Sequence, residues 1–257
     1  MLDTHTGEGV GVMIHPVQYQ AMQPKNMKYR FNWNAPIVVS PHDPKTIYHA
    51  GNALLKSTNA GLSWDAISGD LTRNDKSKQG PGGVPFTNEG AGGENYNTIF
   101  YVAESPIEKG IIWTGSDCGL VNVTLDAGKT WTNVTPAGLP ESQINSIELS
   151  SFDKGVAYIS ATRYKLNDYA SYAYKTTDYG KTWTKINKGV KSDDFIKVIR
   201  EDTKNKSILY AGSERGFYLS TDAGNSWQSF QLNLPIVPVT DLMIRDNDLV
   251  AATAGRA

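Results

Sequence analysis

The sequence predicts an all-β chain that forms part of a β-propeller, with about four complete four-stranded antiparallel blades and a partial blade at each end. Three observations predict this fold class. An eight-residue box, Ser/Thr-x-Asp-x-Gly-x-Ser/Thr-Trp, occurs four times, with Asn in place of Asp in the first copy. Alternating apolar segments of strand length precede every box, and helical periodicity is absent. Repeated units of about 45 to 55 residues with four strands each are typical of propeller blades.

The boxes are predicted to close the turn between the third and fourth strands of each blade. The short acidic or amide side chain accepts hydrogen bonds from N–H groups of the turn, and the glycine supplies a positive φ. The tryptophan returns to the strand and packs against its neighbours. We therefore interpret the boxes as structural. Their acidic or amide residue and their tryptophan are Asn59 and Trp64, Asp126 and Trp131, Asp178 and Trp183, and Asp222 and Trp227.

Three strands, A, B and C, are predicted before each box and a short strand D after it. The predicted A strands are residues 36–40, 98–102, 144–149 and 195–199; the B strands are 46–51, 110–115, 155–160 and 207–212; the C strands are 53–57, 120–124, 172–176 and 217–220. Within one propeller region over residues 1–257, blades are expected at 34–93, 94–140, 141–192 and 193–235. Residues 1–33 are expected to be the remnant of a preceding blade, with an outer strand at 9–14, and residues 236–257 the start of a further blade.

Charge and composition exclude several classes of function. Lys plus Arg number 25 against 26 Asp plus Glu, and this balance lacks the clustered cations that a nucleic-acid partner requires. No apolar run approaches the roughly 18 residues of a membrane-spanning helix. The single cysteine, Cys118, and the four scattered histidines show no metal-ligand spacing. We therefore expect no metal, no cofactor, no nucleic-acid partner and no membrane span.

Beyond the boxes, the stretches 29–37, 40–44, 94–96, 104–106, 174–183 and 247–256 carry a family resemblance. The sequence resembles Asp-box repeat propellers, also called BNR or sialidase-type repeats, and within them large bacterial glycosyl-hydrolase-like or sortilin-like proteins. Members normally begin well before such a segment and continue past a Gly-Arg pair like Gly255-Arg256. The resemblance implies a portion of a larger protein, with the remaining blades as partners and a secreted, periplasmic or cell-surface location.

The loops that join strand B to C and strand D to the next A are predicted to surround the channel mouth, on the face opposite the boxes. They carry the candidate ligand-binding residues Glu94, Tyr96, Asp117, Arg163, Tyr164, Glu214 and Arg215. A glycosidase needs two carboxylates about 5 to 9.5 Å apart across the scissile bond. The candidates for such a pair are Asp117, Glu214, Asp168 and Glu94. Cys118 is not expected to act as a nucleophile, because no histidine lies on a matching loop.

These observations favour a non-catalytic propeller that binds a carbohydrate or a peptide, or serves as a scaffold, within a larger protein. The alternative is a glycoside hydrolase that uses paired rim carboxylates. A sialidase lacks support, because its Arg-Ile-Pro segment is missing and only Arg163 and Arg215 could grip a carboxylate. A sortilin-like peptide receptor would lack its disulfide-rich module. An open arc leaves apolar edges that recruit other chains, so we expect self-association. The rival expectation is ring closure by pairing of residues 9–14 with 249–253.

Overall fold

The computed structural model describes residues 4–9, 11–12, 14–15, 22–80 and 95–255. Within these residues the chain forms four four-stranded antiparallel sheets and one two-stranded sheet, together with three single-turn 3-10 helices and no α-helix. In every four-stranded sheet, strands that follow one another in sequence are neighbours in space. The predicted fold class, an all-β arc of propeller blades, is confirmed.

The strands of the four blades, in the order A to D, have the following bounds. Blade 1 contains β1 (Ile37–Ser40), β2 (Asp43–Ala50), β3 (Leu54–Ser57) and β4 (Asp65–Ala66). Blade 2 contains β5 (Ile99–Glu104), β6 (Ile112–Ser116), β7 (Val121–Thr124) and β8 (Thr132–Asn133). Blade 3 contains β9 (Gln143–Leu149), β10 (Ala157–Arg163), β11 (Asp168–Thr176) and β12 (Thr184–Lys185). Blade 4 contains β13 (Ile196–Glu201), β14 (Leu209–Ser213), β15 (Phe217–Ser220) and β16 (Gln228–Ser229).

A terminal hairpin follows blade 4 and consists of β17 (Val239–Arg245) and β18 (Asp248–Thr253). The 3-10 helices are η1 (Pro24–Asn26), η2 (Lys76–Lys78) and η3 (Tyr164–Leu166). Since residues 81–94 are outside the described part of the chain, the division into blades at residues 93, 140, 192 and 235 stays a prediction. No helix among the described residues has the length and apolar character needed to cross a membrane.

The hydrophobic core lies between the blades, because neighbouring sheets pack face to face. Between blades 2 and 3, Trp113 packs with Ile144, Ile147 and Ile159. Between blades 3 and 4, Tyr158 packs with Ile199 and other side chains. A third cluster joins blades 1 and 2, and a fourth joins blade 4 to the terminal hairpin. The arc is therefore held together by a series of interfaces rather than by one central core.

Each box forms the predicted turn between strands C and D. In the third box, the Thr176 hydroxyl donates to Asp178 Oδ1 at 2.8 Å and accepts from the Gly180 N–H at 2.9 Å. Asp178 also accepts from the backbone and hydroxyl of Thr182, at 2.9 and 2.7 Å. Both central residues have positive φ, 60° at Tyr179 and 81° at Gly180. Only the glycine was predicted to adopt this conformation, and a bulky tyrosine accepts the left-handed region here because the surrounding hydrogen bonds fix the turn.

The box tryptophans also join adjacent blades, a contact that the sequence did not predict. The indole N–H groups of Trp131, Trp183 and Trp227 donate to the carbonyl oxygens of Ile67, Val134 and Ile186, at 2.8, 2.7 and 2.7 Å. Each acceptor is the residue directly after strand D of the preceding blade. The first box differs, because Trp64 donates to Gly61 O of its own turn at 3.0 Å.

A β-bulge recurs in strand A of blades 2, 3 and 4 and in β17. The extra residues are Phe100, Asn145, Lys197 and Thr240. A bulge breaks the alternation of side chains and redirects the extra residue, and such bulges are frequent beside functional sites. Simple alternation in the sequence did not predict them. Phe100 is turned in this way toward the cleft described below.

The two ends of the arc do not pair with each other within the described residues. β18 is hydrogen-bonded to β17 alone. Val12 contacts Gly61 of the first box. In the later boxes, Ile67, Val134 and Ile186 make the equivalent contact with the box glycine. Residues 10 and 13 of the predicted outer strand lie outside the described residues. The described part of the chain is therefore an open arc.

Candidate functional site: a cleft at the mouth of the arc

The B–C and D–A loops meet on one face, and in blades 2 and 4 the B–C loop is hydrogen-bonded to the residue just before strand A of its own blade. In blade 2, the Asp117 N–H donates to Thr98 O at 3.0 Å. In blade 4, the Glu214 N–H donates to Phe195 O at 3.2 Å. The boxes, as C–D turns, lie at the other end of the strands. This is the arrangement that the sequence predicted for the channel mouth.

A cleft of about 370 Å³ opens on this face between blades 1, 2 and 3, and we call it the mouth cleft. Its lining is polar apart from a few aromatic rings, and it includes three of the predicted site residues, Tyr96, Asp117 and Tyr164. The other described residues that line it are Asn32, Trp33, Asn34, Asn95, Phe100, Gln143 and Lys165.

Two exposed aromatic side chains line the mouth cleft. Trp33 is 69% exposed, an unusual fraction for so large an apolar ring. Tyr164 is 40% exposed, and its ring stacks on the buried ring of Phe195 with 5.5 Å between centroids and 6° between planes. The stacking fixes the orientation of Tyr164, so the cleft has a preformed aromatic wall.

The loop that carries Trp33 is fixed by amide and guanidinium hydrogen bonds. Asn95 Nδ2 donates to Phe31 O at 2.7 Å, and Asn32 Nδ2 donates to Asn95 O at 3.0 Å. Just before this loop, the buried Arg30 pairs with Asp70 at 2.6 Å. Trp33 is therefore exposed on a segment whose N-terminal side is held in place.

Asp117 is buried beneath the cleft and is engaged in hydrogen bonds. Its carboxylate accepts from the backbone N–H and the hydroxyl of Thr98, at 2.9 and 2.8 Å. Burial raises the pKa of Asp117 to about 7, although the bonds from Thr98 and the charge of Arg30 oppose the rise. In blade 4 the same two segments are joined in the reverse sense, because Asp194, just before strand A, accepts from the hydroxyl of Ser213 at the end of strand B, at 3.0 Å. The repetition favours a structural role for Asp117.

Four of the remaining charged candidates do not line the mouth cleft, and each of these four has an ion-pair partner. Arg163 pairs with Asp168 at 2.6 Å, and the Tyr172 hydroxyl donates to the same carboxylate at 2.8 Å. Partial burial would raise the pKa of Asp168, but these bonds and one from the Ala170 N–H hold it below its ordinary value. Glu214 pairs with Lys197 at 2.6 Å, and Arg215 pairs with Asp193 at 2.8 Å. Glu94 lies outside the described residues.

Glu141 was not predicted, and it connects three loops around the cleft. Its carboxylate accepts from the Tyr96 hydroxyl and from Lys78 Nζ, and its backbone carbonyl accepts from Arg163 Nε at 2.9 Å. Partial burial alone would raise the pKa of Glu141, but the bonds from Lys78 and Tyr96 hold it below its ordinary value. No sequence motif surrounds Glu141, since its role depends on contacts with residues more than 20 positions away.

Metal binding and thiol chemistry have no arrangement to support them among the described residues. No group of three or more His, Cys, Asp or Glu side chains there is placed to hold a metal ion. Burial raises the pKa of the Cys118 thiol to about 11, and its Sγ accepts from the Arg73 N–H at 3.3 Å. A protonated, buried thiol is a poor nucleophile.

A second cavity of about 600 Å³ lies along the A strands. Arg200 reaches it and joins several strands near the axis. Its guanidinium lies 2.6 Å from Asp241 Oδ1, 3.4 Å from Glu148 Oε2 and 3.3 Å from the Tyr101 hydroxyl. Since Asp241 belongs to β17, this network attaches the terminal hairpin to the blades.

The family model of Sortilin-Vps10 (sortilin, neurotensin receptor 3) matches residues 171–250, which include the third and fourth boxes. A search of curated proteins finds no significant match. The four boxes, the four-stranded sheets and this match agree. The resemblance to Asp-box repeat propellers is confirmed.

Solved structures with the same architecture are distant in sequence. An ancestral GH74 enzyme is 19% identical with a TM-score of 0.59, covering 81% of this chain and 25% of its own. The GH74 xyloglucanase from Xanthomonas campestris is 18% identical with a TM-score of 0.55, covering 77% and 30%. PorZ, a surface component of the type-IX secretion system of Porphyromonas gingivalis, is 15% identical with a TM-score of 0.55, covering 88% and 26%. Identities this low show the fold alone, and the chain spans between a quarter and a third of each neighbour.

Proposed function

We propose that this chain is a non-catalytic, carbohydrate-binding part of a larger exported protein, and that the mouth cleft holds the sugar. The observation that carries the proposal is Trp33, a largely exposed ring on a fixed loop at the wall of a polar cleft. A pyranose ring has apolar C–H faces that pack against an aromatic plane and hydroxyls that need hydrogen-bond partners. The cleft offers both, in Trp33 and Tyr164 and in the amides of Asn34 and Gln143.

Preorganisation supports the same proposal. A binding site gains affinity when its side chains are already ordered before the ligand arrives, because their entropy is not lost on binding. Tyr164 is stacked on Phe195, and Gln143 Nε2 donates to Asn145 Oδ1 at 2.9 Å. The main walls of the cleft are thus fixed in the absence of ligand.

The carboxylates favour binding over hydrolysis. A glycosidase needs an acid and a base or nucleophile that face the sugar. Of the described residues that line the cleft, Asp117 alone has a carboxyl group, and it is clamped by Thr98. Asp168 and Glu214 are held by Arg163 and Lys197 outside the cleft. We therefore place hydrolysis second.

The test is binding of soluble polysaccharides, with xyloglucan, barley β-glucan and glycogen as probes in affinity electrophoresis and isothermal titration. Trp33→Ala should weaken binding about tenfold or more, equivalent to about 1.4 kcal/mol. Phe152→Ala is the matched control, because Phe152 is 42% exposed but lies on the A–B turn at the opposite face. Its effect should stay within about twofold.

Four results would contradict the proposal. Failure of every probe to bind would leave the cleft without a sugar ligand, and equal binding by wild type and Trp33→Ala would place the sugar elsewhere. Release of reducing ends by the purified chain would favour the hydrolase. Binding of peptides at the cleft in place of sugars would support the peptide alternative.

A further inference from the structure

Tyr169 is a second exposed aromatic side chain beside the mouth cleft but outside it. It is 49% exposed and does not belong to the cleft lining. Its ring lies 6.4 Å from that of Phe195, with 34° between the planes. Phe195 also supports Tyr164, whose ring does line the cleft. One buried ring therefore holds two exposed tyrosines, one inside the cleft and one on its outer side.

Tyr169 is the second residue of β11, and its position is fixed by the turn that precedes this strand. The turn after η3 is closed by Asn167 in the left-handed conformation, with φ of 59°. Asp168 pairs with Arg163 at 2.6 Å and accepts from the Ala170 N–H at 3.1 Å. Both neighbours of Tyr169 in sequence are thus tied down, so its ring is held at the surface.

The concave surface continues past Tyr169 to blade 4. A cleft of about 420 Å³ lies there, formed by the B–C loop of blade 4 and the adjoining D–A loops, and we call it the blade-4 cleft. Asp194, which lines it, directly precedes Phe195 in sequence. Arg215 and Lys191 lie at its rim. The mouth cleft, the two tyrosines and the blade-4 cleft are therefore on one face of the arc, in that order along blades 2 to 4.

Charges along this path are largely compensated. The three ion pairs are Arg163 with Asp168, Lys197 with Glu214, and Arg215 with Asp193. Because these cations are already paired, an anionic glycan would gain little electrostatic energy by binding here. Packing of a sugar on aromatic rings does not require the sugar to carry a charge.

We infer that Tyr169 forms a second sugar subsite and that the ligand is an uncharged glycan of several sugar units, running from the mouth cleft over Tyr164 toward blade 4. This inference rests on the proposed function, since it presupposes that the mouth cleft holds a sugar. When one glycan occupies both subsites, its second contact with the protein is intramolecular. The affinity for the glycan therefore rises with its number of sugar units.

The experiment compares short and long ligands of one chemistry by isothermal titration, using cello-, xylo- and malto-oligosaccharides of two and six units. In the series that binds, the six-unit sugar should bind the wild type about tenfold more tightly than the two-unit sugar. Tyr169→Ala should remove most of this gain while changing two-unit binding less than about twofold. Tyr169→Phe should keep the gain because it keeps the ring, and Phe152→Ala should match the wild type. Far-UV circular dichroism and thermal unfolding establish that each variant is folded.

The outcomes separate the two proposals. Equal affinity for two-unit and six-unit sugars, or an unchanged length dependence in Tyr169→Ala, would overturn the second subsite while leaving Trp33-dependent binding intact. Tighter binding of oligogalacturonates than of every neutral series would overturn the uncharged class. If none of the oligosaccharides binds and Trp33→Ala changes nothing, both proposals fail.

Discussion

The hydrogen bonds from box tryptophans to the preceding blade predict that identical substitutions in different boxes have different costs. Trp227 is buried, and its indole N–H donates at 2.7 Å to the carbonyl of Ile186, a residue that is itself buried. Trp64 is half-buried, and it donates to Gly61 O within its own turn. Tryptophan to phenylalanine removes the donor in both cases and keeps an aromatic ring.

The magnitude follows from what happens to the acceptor. In Trp227→Phe the Ile186 carbonyl loses a partner in an interface from which water is excluded, and a buried unpaired group costs about 1 to 3 kcal/mol. In Trp64→Phe the bond that is lost is only partly buried and closes within one turn, so the free energy of unfolding should fall by about 1 kcal/mol or less. For a domain of this size each kcal/mol lowers Tm by about 2 to 4 °C.

Trp227→Ala, which also removes the ring, should lower the free energy of unfolding by about 3 to 5 kcal/mol. For the half-buried Trp183→Ala we expect the lower part of that range, with affinity for ligand per folded molecule unchanged.

The assay is urea unfolding followed by far-UV circular dichroism and by tryptophan fluorescence, which must agree if the transition is two-state. Equal losses in Trp64→Phe and Trp227→Phe would refute the argument, because the cross-blade acceptor would then contribute nothing. A loss of ligand binding without a change in the unfolding midpoint would show instead that the boxes belong to a binding site.

Two further predictions concern pH and association. The pKa of Asp117 is raised by burial from 3.8 to about 7, so its folded state binds the proton more tightly than the unfolded chain; its contribution to the free energy of unfolding is complete below about pH 4 and is lost as pH rises through about 7. The urea midpoint of unfolding should therefore fall between pH 4.5 and 8, and it should fall less in Asp117→Asn. If the variant shows the same fall as the wild type, another group causes the pH dependence. For association, one edge of β18 pairs with no other strand among the described residues, and Leu249 and Val250 are exposed on it, so we expect dimers or larger species in sedimentation at micromolar concentration. Val250→Lys should shift the chain toward monomer, whereas a monomeric wild type would contradict the prediction.

The strands and boxes were predictable because their signals are local. The alternation in residues 46–51 and 207–212 reports burial on one face, and the box pattern reports hydrogen bonds that close within eight residues. β2 and β14 accordingly lie where the pattern placed them, at Asp43–Ala50 and Leu209–Ser213. Bulges such as that at Phe100 were not predictable, because they depend on the register with strand B rather than on composition.

The site was only partly predictable for the same reason. Tyr96, Asp117 and Tyr164 were placed on the correct face from loop order alone. The sequence could not separate them by burial, and Asp117 is enclosed while Tyr164 is exposed. Trp33 lies in a stretch quoted for its family resemblance, yet its exposure depends on the distant Asn95 that fixes its loop. Contacts between positions this far apart have no signature in a single sequence.

The two ends of the strands have different roles in the arc. At the box end, the same hydrogen bonds recur in each of the four turns, and in blades 2 to 4 the box tryptophan also bonds to the preceding blade. At the mouth end, a bond from the B–C loop to the residue before strand A is present in blades 2 and 4, and the side chains of the loops differ from blade to blade. The turn after β10 carries Tyr164, and Tyr169 is the second residue of β11, which follows that turn. Because the box end supplies the rigidity, the mouth end can vary without loss of the fold, and it is there that exposed aromatic rings on fixed loops have a reason to be functional.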